Sequence, residues 1–214
     1  MLPSTSPAWS ARSEPADPWA VTALDGFYRR HAHVYDWTRP LILFGRRQAI
    51  RALSLRPGER VLDVGCGTGW SLPRLWARGA HPVGIECSAA MRRQAARRIA
   101  HYGLGAAVPL DPSPYGSHDK YAGSADAILF SYSLSMIPPF ETVLERAARD
   151  LHEGGRIAVV DFLDAWGPVG FALGRSHVHL GPHRLEALRR RFSPHTLAVR
   201  SVGLWRWYQF VAWP

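Results

Sequence analysis

The chain has 214 residues, 47% of them apolar and 20% charged, the balance of one globular domain with a sizeable core. Its 26 Lys+Arg against 17 acids give a net charge of +9, and every base but Lys120 is arginine, which favours anionic partners such as nucleic acid or an anionic bilayer. Two cysteines, Cys66 and Cys87, exclude a cysteine metal centre, and no apolar run approaches the ~20 residues of a membrane span.

Residues 1–18 carry Pro3, Pro7, Pro15 and Pro18 without an apolar core, so they are expected to be a disordered lead rather than a secretory signal. A reduced, cytoplasmic setting follows as the expectation. Residues 19–56 are expected to be helical. Trp19, Leu24, Phe27 and Tyr28 oppose Arg29, Arg30 and His31 in a first helix. A second, after Pro40, carries Leu41, Ile42, Phe44 and Ile50 with Arg46, Arg47 and Arg51, and ends near Arg56-Pro57-Gly58.

Strands and helices alternate through the remaining domain, 57–214. Strands are expected at 60–64, 82–85, 106–110, 127–130 and, after the Gly154-Gly155 turn, 157–162. Helices are expected at 70–77, after Ser88 through Met91, Ala95 and Ile99, at 140–151 and at 184–191, with loops at 111–124 and 164–181. Two β-rich stretches, 196–202 and 204–213, turn at Gly203. The alternation predicts an α/β fold: a doubly wound, mostly parallel, seven-stranded Rossmann-like sheet with an antiparallel C-terminal hairpin.

The chemistry centres on Asp63-Val64-Gly65-Cys66-Gly67-Thr68-Gly69 at the end of the first strand, and on Glu86 at the end of the second. In doubly wound sheets such positions face the ligand crevice, and an acid after the second strand suits a ribose diol. A dinucleotide fingerprint would need glycine at position 70, where Trp70 stands. The acid followed by G-x-G-x-G instead resembles the S-adenosylmethionine (AdoMet) loop of class I methyltransferases. That resemblance implies a cofactor surface of Asp63, Gly65, Cys66, Gly67, Gly69, Glu86, Cys87, Met91 and Ser131, with Asp111 near the adenine amino group.

The segment after the fourth strand, Phe130-Ser131-Tyr132-Ser133-Leu134-Ser135-Met136-Ile137-Pro138, bears on the acceptor. It has neither the Asn/Asp-Pro-Pro-aromatic turn of base and Gln N-methyltransferases nor a Pro-Cys nucleophile for cytosine C5, so nucleic acid is not the expected partner. The run resembles betaine-lipid N-methyltransferases, which methylate diacylglyceryl-homoserine, and shares much with bacterial phosphatidylethanolamine N-methyltransferases. Phe27-Tyr28-Arg29-Arg30-His31-Ala32, Val34-Tyr35-Asp36-Trp37-Thr38-Arg39, Leu43-Phe44-Gly45-Arg46-Arg47, Gly69-Trp70-Ser71-Leu72-Pro73 and residues 154–162 extend the likeness over residues 24 to about 163.

The resemblance implies an amino-lipid substrate reached from the inner membrane face. Trp19, Phe27, Trp37 and Phe44 beside Arg29, Arg30, Arg46 and Arg47 are the expected interfacial surface. Tyr28, Tyr35, Tyr132 and Ser133 are candidates for the amine pocket, since aromatic faces stabilise a methylated ammonium. Arg29, Arg30 or Arg39 would pair with a head-group carboxylate. His177 is a candidate proton acceptor. A C- or O-methyltransferase of a small molecule or quinone would instead need a general base beside the methyl. A non-catalytic AdoMet- or RNA-binding module is the reading from outside enzymology, and its mark would be a basic groove past the cofactor.

Overall fold

The computed structural model describes residues 43–175 and 178–213. The expected lead, the first helix, Tyr28, Tyr35 and His177 lie outside these residues. In chain order the elements are α1 (Arg46–Ala52), β1 (Arg60–Val64), α2 (Leu72–Trp76), β2 (His81–Ile85), α3 (Ala89–His101), β3 (Leu110–Asp111) and β4 (Ala125–Ser131). A 3-10 turn (Leu134–Met136), α4 (Phe140–Asp150), β5 (Leu151–Ala165), α5 (Gly167–Arg175), α6 (His183–Arg191), β6 (His195–Val202) and β7 (Trp205–Ala212) follow.

The seven strands form one sheet in the order β3-β2-β1-β4-β5-β7-β6. The first five are parallel, and β7 runs antiparallel between β5 and β6. The α/β fold read from the sequence is therefore the one observed. After β3 the chain returns to the other side of β1, which opens a crevice beyond the carboxyl ends of β1 and β4.

Period-two alternation divides the core between the two faces of the sheet. Leu62 and Val64 of β1, Ile128 and Phe130 of β4 and Val159 of β5 pack with Val143, Leu144 and Ala147 of α4 and Leu188 of α6. Val61, Ala127, Leu129, Ala158 and Val160 face the other way, onto Ala49, Ile50 and Leu53 around α1 and onto Leu75 of α2. By the same alternation Asp63 and Ser131 share the α1 face, whereas Asp161 lies on the α4–α6 face.

Three elements differ from the sequence expectation. The third strand covers only Leu110 and Asp111, because residues 105–107 form a turn in which Ala107 and Val108 donate to Leu104 O, while Pro109 has no N–H to donate. The fifth strand starts at Leu151 rather than after the glycines. Gly154 takes a left-handed φ of 78°, and the register against β4 shifts there, so the expected turn is a bulge inside the strand. Residues 167–175, expected to be irregular, form α5: Pro168 falls in the first helical turn, where a missing N–H costs nothing. The helix expected after Pro40 begins, among the described residues, at Arg46.

Opposite the crevice, Arg156 pins α1 to the sheet. Its buried guanidinium pairs with Glu59 and donates to the carbonyls of Leu53, Ser54 and Asp126. Removing it strands the Glu59 carboxylate and three carbonyls at once. Arg156→Ala should lower the unfolding free energy by about 3 kcal/mol in urea titration, and Arg156→Lys, which lacks the planar fork, should recover less than half of that.

Candidate functional site

The crevice is organised around Asp63. Its side chain is fully buried and accepts a hydrogen bond from Ser71 Oγ at the start of α2. Its other oxygen, Oδ1, is buried without a partner among the described residues. Burial raises the carboxyl to about 6, opposed by the Ser71 hydrogen bond and by the nearby Arg46 charge. Arg46 comes from α1, and its Nε donates to Ser131 Oγ at 3.2 Å. Burial lowers the Arg46 guanidinium to about 10, with Asp63 acting in the opposite sense. The Trp70 ring supports this charge: Arg46 lies 4.0 Å and Arg74 3.8 Å from its centroid. The residue that breaks the dinucleotide spacing is thus a shelf for two guanidiniums.

Between Asp63 and α2 the backbone makes a tight loop that needs its glycines. Gly65 has φ +67°, and a Cβ there would come within 2.5 Å of Ser133 Cβ. Gly67, at φ +58°, faces open space, with nothing within 4 Å of where a Cβ would stand. Glu86 holds the loop from the side. Its Oε2 accepts from Gly67 N at 2.9 Å and its Oε1 from Ser88 N at 2.8 Å.

Cys66 is buried, its thiol pushed well up by burial, and its Sγ lies 3.0 Å from where a Cβ on Gly84 would stand. It fills tight space as an inert neutral thiol. Cys87 is half-buried, and its carbonyl, like that of Glu86, accepts from Arg92 Nη1. Met91 is buried in the first turn of α3, its N–H capped by Ser88.

Asp111 stands at the end of β3 as expected, but its carboxylate is heavily engaged. It accepts from Ser113 N at 2.9 Å, Lys120 Nζ at 2.8 Å and the Tyr121 hydroxyl at 2.5 Å. Burial alone would raise this carboxyl. The Lys120 and Tyr121 hydrogen bonds overcome it and hold the group far below the usual range. Asp111 therefore orders the 111–121 loop beside the crevice.

The segment after β4 closes the site on its far side. Ser131 and Tyr132 sit at the rim. Tyr132 adopts a left-handed φ of 57°, rare for a non-glycine residue and costing of the order of 1–3 kcal/mol. Three contacts hold it there: its N–H donates to Val160 O at 2.8 Å, its hydroxyl donates to Phe44 O at 2.8 Å, and its ring meets Phe162 edge-on at 4.6 Å. Burial raises its hydroxyl well above the ordinary range, so the phenol is neutral. Ser133 turns away from the crevice and donates to Val64 O at 2.6 Å.

Below this segment lies a clamp that sequence reasoning missed. Asp161, fully buried in β5, accepts from Ser135 N at 2.8 Å, Ser135 Oγ at 2.7 Å and Phe162 N at 2.8 Å. From α6, Arg184 donates to Leu134 O at 3.0 Å and Ile137 O at 3.5 Å. An anion thus holds an N–H of the 3-10 turn and a cation its carbonyls, the arrangement that matches the turn's own dipole. Asp161 was legible only as a polar break in an apolar strand. Arg184 and Arg46 carried no signal, since an arginine reads alike whether it faces water or a carboxylate. Arg46, expected on a membrane-facing surface, instead turns inward, while Arg47 remains exposed.

The structure brings Asp63, the glycines, Glu86, Cys66, Ser131 and Tyr132 together around one crevice. Among the described residues no cluster of His, Cys, Asp or Glu suits a metal ion.

Comparison with known proteins identifies the family and the fold. Residues 28–210 match the family described as a methyltransferase domain. The chain is 36% identical over 159 residues to a protein-L-isoaspartate O-methyltransferase of Methylorubrum populi, covering 72% of this chain and 66% of that one. It is 33% identical over 177 residues to a demethylmenaquinone methyltransferase of Corynebacterium efficiens, covering 80% of this chain and 74% of the relative. It therefore spans only part of these relatives' length. Among solved structures, phosphoethanolamine N-methyltransferase 2 of Haemonchus contortus with bound AdoMet superposes with a TM-score of 0.74 at 14% identity, over 93% of this chain and 60% of that one. That likeness establishes the fold.

The clamp carries a testable pH signature. Burial raises the Asp161 carboxyl to about 6, so between the ordinary carboxyl value near 4 and that point the folded chain keeps a proton that the unfolded chain releases. The stability contributed by this group therefore rises as pH falls through the window and is lowest above it. Relative to Asp161→Asn, the wild-type chain should gain roughly 2 kcal/mol on moving from pH 7.5 to 4.5, measured by paired urea titrations.

Proposed function

The chain belongs to the methyltransferase-domain family, and from the geometry of its site we propose that it methylates the amine of a lipid head group, with diacylglyceryl-homoserine as the acceptor. It is an AdoMet-dependent methyltransferase. The residues fit that cofactor. The unpartnered Asp63 Oδ1 offers a buried acceptor for its ammonium, and Arg46 beside it offers a donor for its carboxylate. Gly67 leaves space at the loop, and the Glu86 carboxylate at the end of β2 is the group placed to accept from two ribose hydroxyls. Cys66, Cys87 and Met91 complete the wall, and the Asp111 loop borders the adenine side.

Bound AdoMet supplies an electrophilic methyl on its sulfonium. The chain's own work is then to hold an acceptor lone pair in line with that methyl and to keep water out. Ser131 and Tyr132 form the wall nearest the acceptor. The observation that carries the amine reading is the engagement of the polar groups on that wall. Among the described residues the Tyr132 hydroxyl is committed to Phe44 O and Ser133 to Val64 O, and Asp161 stays behind the wall, bonded to Ser135 and Phe162 N. A wall built this way suits a nucleophile that attacks as a neutral amine. An oxygen or carbon acid needs a proton removed in the same step. The aromatic pair Tyr132–Phe162 lends a face to the resulting ammonium. Tyr28, Tyr35 and His177, candidates from the sequence for the acceptor side, lie outside the described residues. The cytoplasmic face of a membrane is its setting, and no described helix is long and apolar enough to cross one.

The 33% identity to a demethylmenaquinone methyltransferase favours a second reading, transfer to a quinone-ring carbon. One assay separates the two. Purified protein with isotope-labelled AdoMet is offered detergent-dispersed diacylglyceryl-homoserine, phosphatidylethanolamine or demethylmenaquinone, and products are weighed by mass spectrometry. Successive methyl additions to diacylglyceryl-homoserine are expected. Methylation of phosphatidylethanolamine alone would move the head group, and methylation of demethylmenaquinone alone would establish the second reading. Product from none of the three would sink both.

The cofactor assignment is tested on its own. Glu86→Ala removes two charge-assisted acceptors and should weaken AdoMet binding about a hundredfold by calorimetry. An unchanged affinity would remove Glu86 from the cofactor site.

A further inference from the structure

β4 ends at Ser131, paired with Val160, but β5 runs on to Ala165 against β7 alone. The β5–β7 ribbon therefore projects five residues, about 16 Å, beyond the rim of the crevice. On it stands α5, a helix with no buried side chain. Its outer positions follow helical spacing: Pro168, Phe171 and Ala172 are exposed, and Arg175 ends the row. Phe171 is 71% exposed, Trp166 at the helix root 49%, and Leu204, whose carbonyl accepts from Trp166 N, 47%. Arginines lie against the rings, Arg175 at 5.8 Å from Phe171 and Arg206 at 5.6 Å from Trp166. The acid at the root, Asp164, is neutralised by Arg206. On its inner side, Leu173 packs against the cluster that contains Tyr132 and Phe162.

We propose that α5, with Trp166 and Leu204, is the surface by which this enzyme docks on an anionic lipid bilayer. The inference rests on the lipid-acceptor reading above and names where the lipid phase meets the fold. The patch is exposed and apolar, with the Arg175 guanidinium beside the Phe171 ring and Asp164 neutralised by Arg206 at its root, the combination that seats a short helix at the boundary of head groups and acyl chains. The chain's net charge of +9 complements an anionic leaflet. A nine-residue helix offers far less than the ~800 Å² per partner of a stable protein pair, so a second copy fits it poorly. Because Leu173 of α5 packs against the cluster that holds Tyr132, a docked molecule would have that side of the site near the lipid.

The test is co-sedimentation of the full chain with vesicles of equal phosphatidylglycerol and phosphatidylcholine, and with phosphatidylcholine alone. Binding to the mixed vesicles is expected, at least tenfold weaker for Phe171→Asp and for Trp166→Ser, with Tyr102→Asp, an exposed aromatic on α3's end, binding as wild type. Melting curves and AdoMet affinity of the variants, expected to be unchanged, verify their folding. Wild-type protein left in the supernatant would overturn the proposal. So would variants that sediment like wild type, or a dimer in light scattering that Phe171→Asp dissolves. None of these outcomes bears on the detergent-dispersed methylation assay, so the two readings fail separately.

Discussion

Everything at the crevice depends on one carboxylate kept out of water. Asp63 is fully buried at the point where the sheet changes direction, and its charge is tolerable only because of what surrounds it. Ser71 gives one hydrogen bond, and Arg46, resting on Trp70, gives a compensating charge. That requirement fixes the start of α2, which supplies Ser71, and the seat of α1, which supplies Arg46. It also leaves Asp63 Oδ1 unpartnered, the sort of debt that a cationic ligand settles on binding.

The two faces of the sheet divide the labour. The α1 face carries Asp63 and Ser131, at the crevice. The α4–α6 face carries Asp161 and Arg184, which never reach the crevice but hold the 3-10 turn at both ends. The strained backbone of Tyr132 lies between them, fixed from one side by Val160 and Phe44 and from below by the clamp. The segment after β4 is therefore held by hydrogen bonds from both sides of the sheet.

Much of the fold was legible because it rests on local rules. Apolar runs ending in acids marked β1 and β2, Ser88 capped α3, and the alternation of strand and helix implied parallel crossovers. Legibility failed where local signals conflicted. Gly154-Gly155 reads as a turn but is a bulge, since β4 supplies partners on both sides of it. Residues 167–175, with three glycines and a proline, look irregular, yet the end of β5 and Leu173's packing give a helix its support. Asp111 was rightly placed at a strand end, but the Lys120 and Tyr121 that engage it come from a loop whose path no periodicity describes.

The sequence by itself determined the sheet, the glycine loop and its two acids, because spacing along a strand dictates which end and which face a residue occupies. Only the tertiary structure decided which charges work in pairs. Arg46 and Ser131 are 85 residues apart, and Arg184 and Leu134 are 50 apart. Composition shows an arginine-rich chain and predicts an anion-seeking surface. Packing sends Arg46, Arg156 and Arg184 inward to satisfy buried acids and carbonyls, and leaves others, among them Arg47 and Arg175, to meet the outside. A long-range pair of this kind is chosen by the desolvation cost of leaving either partner alone, and that cost exists only once the chain has folded.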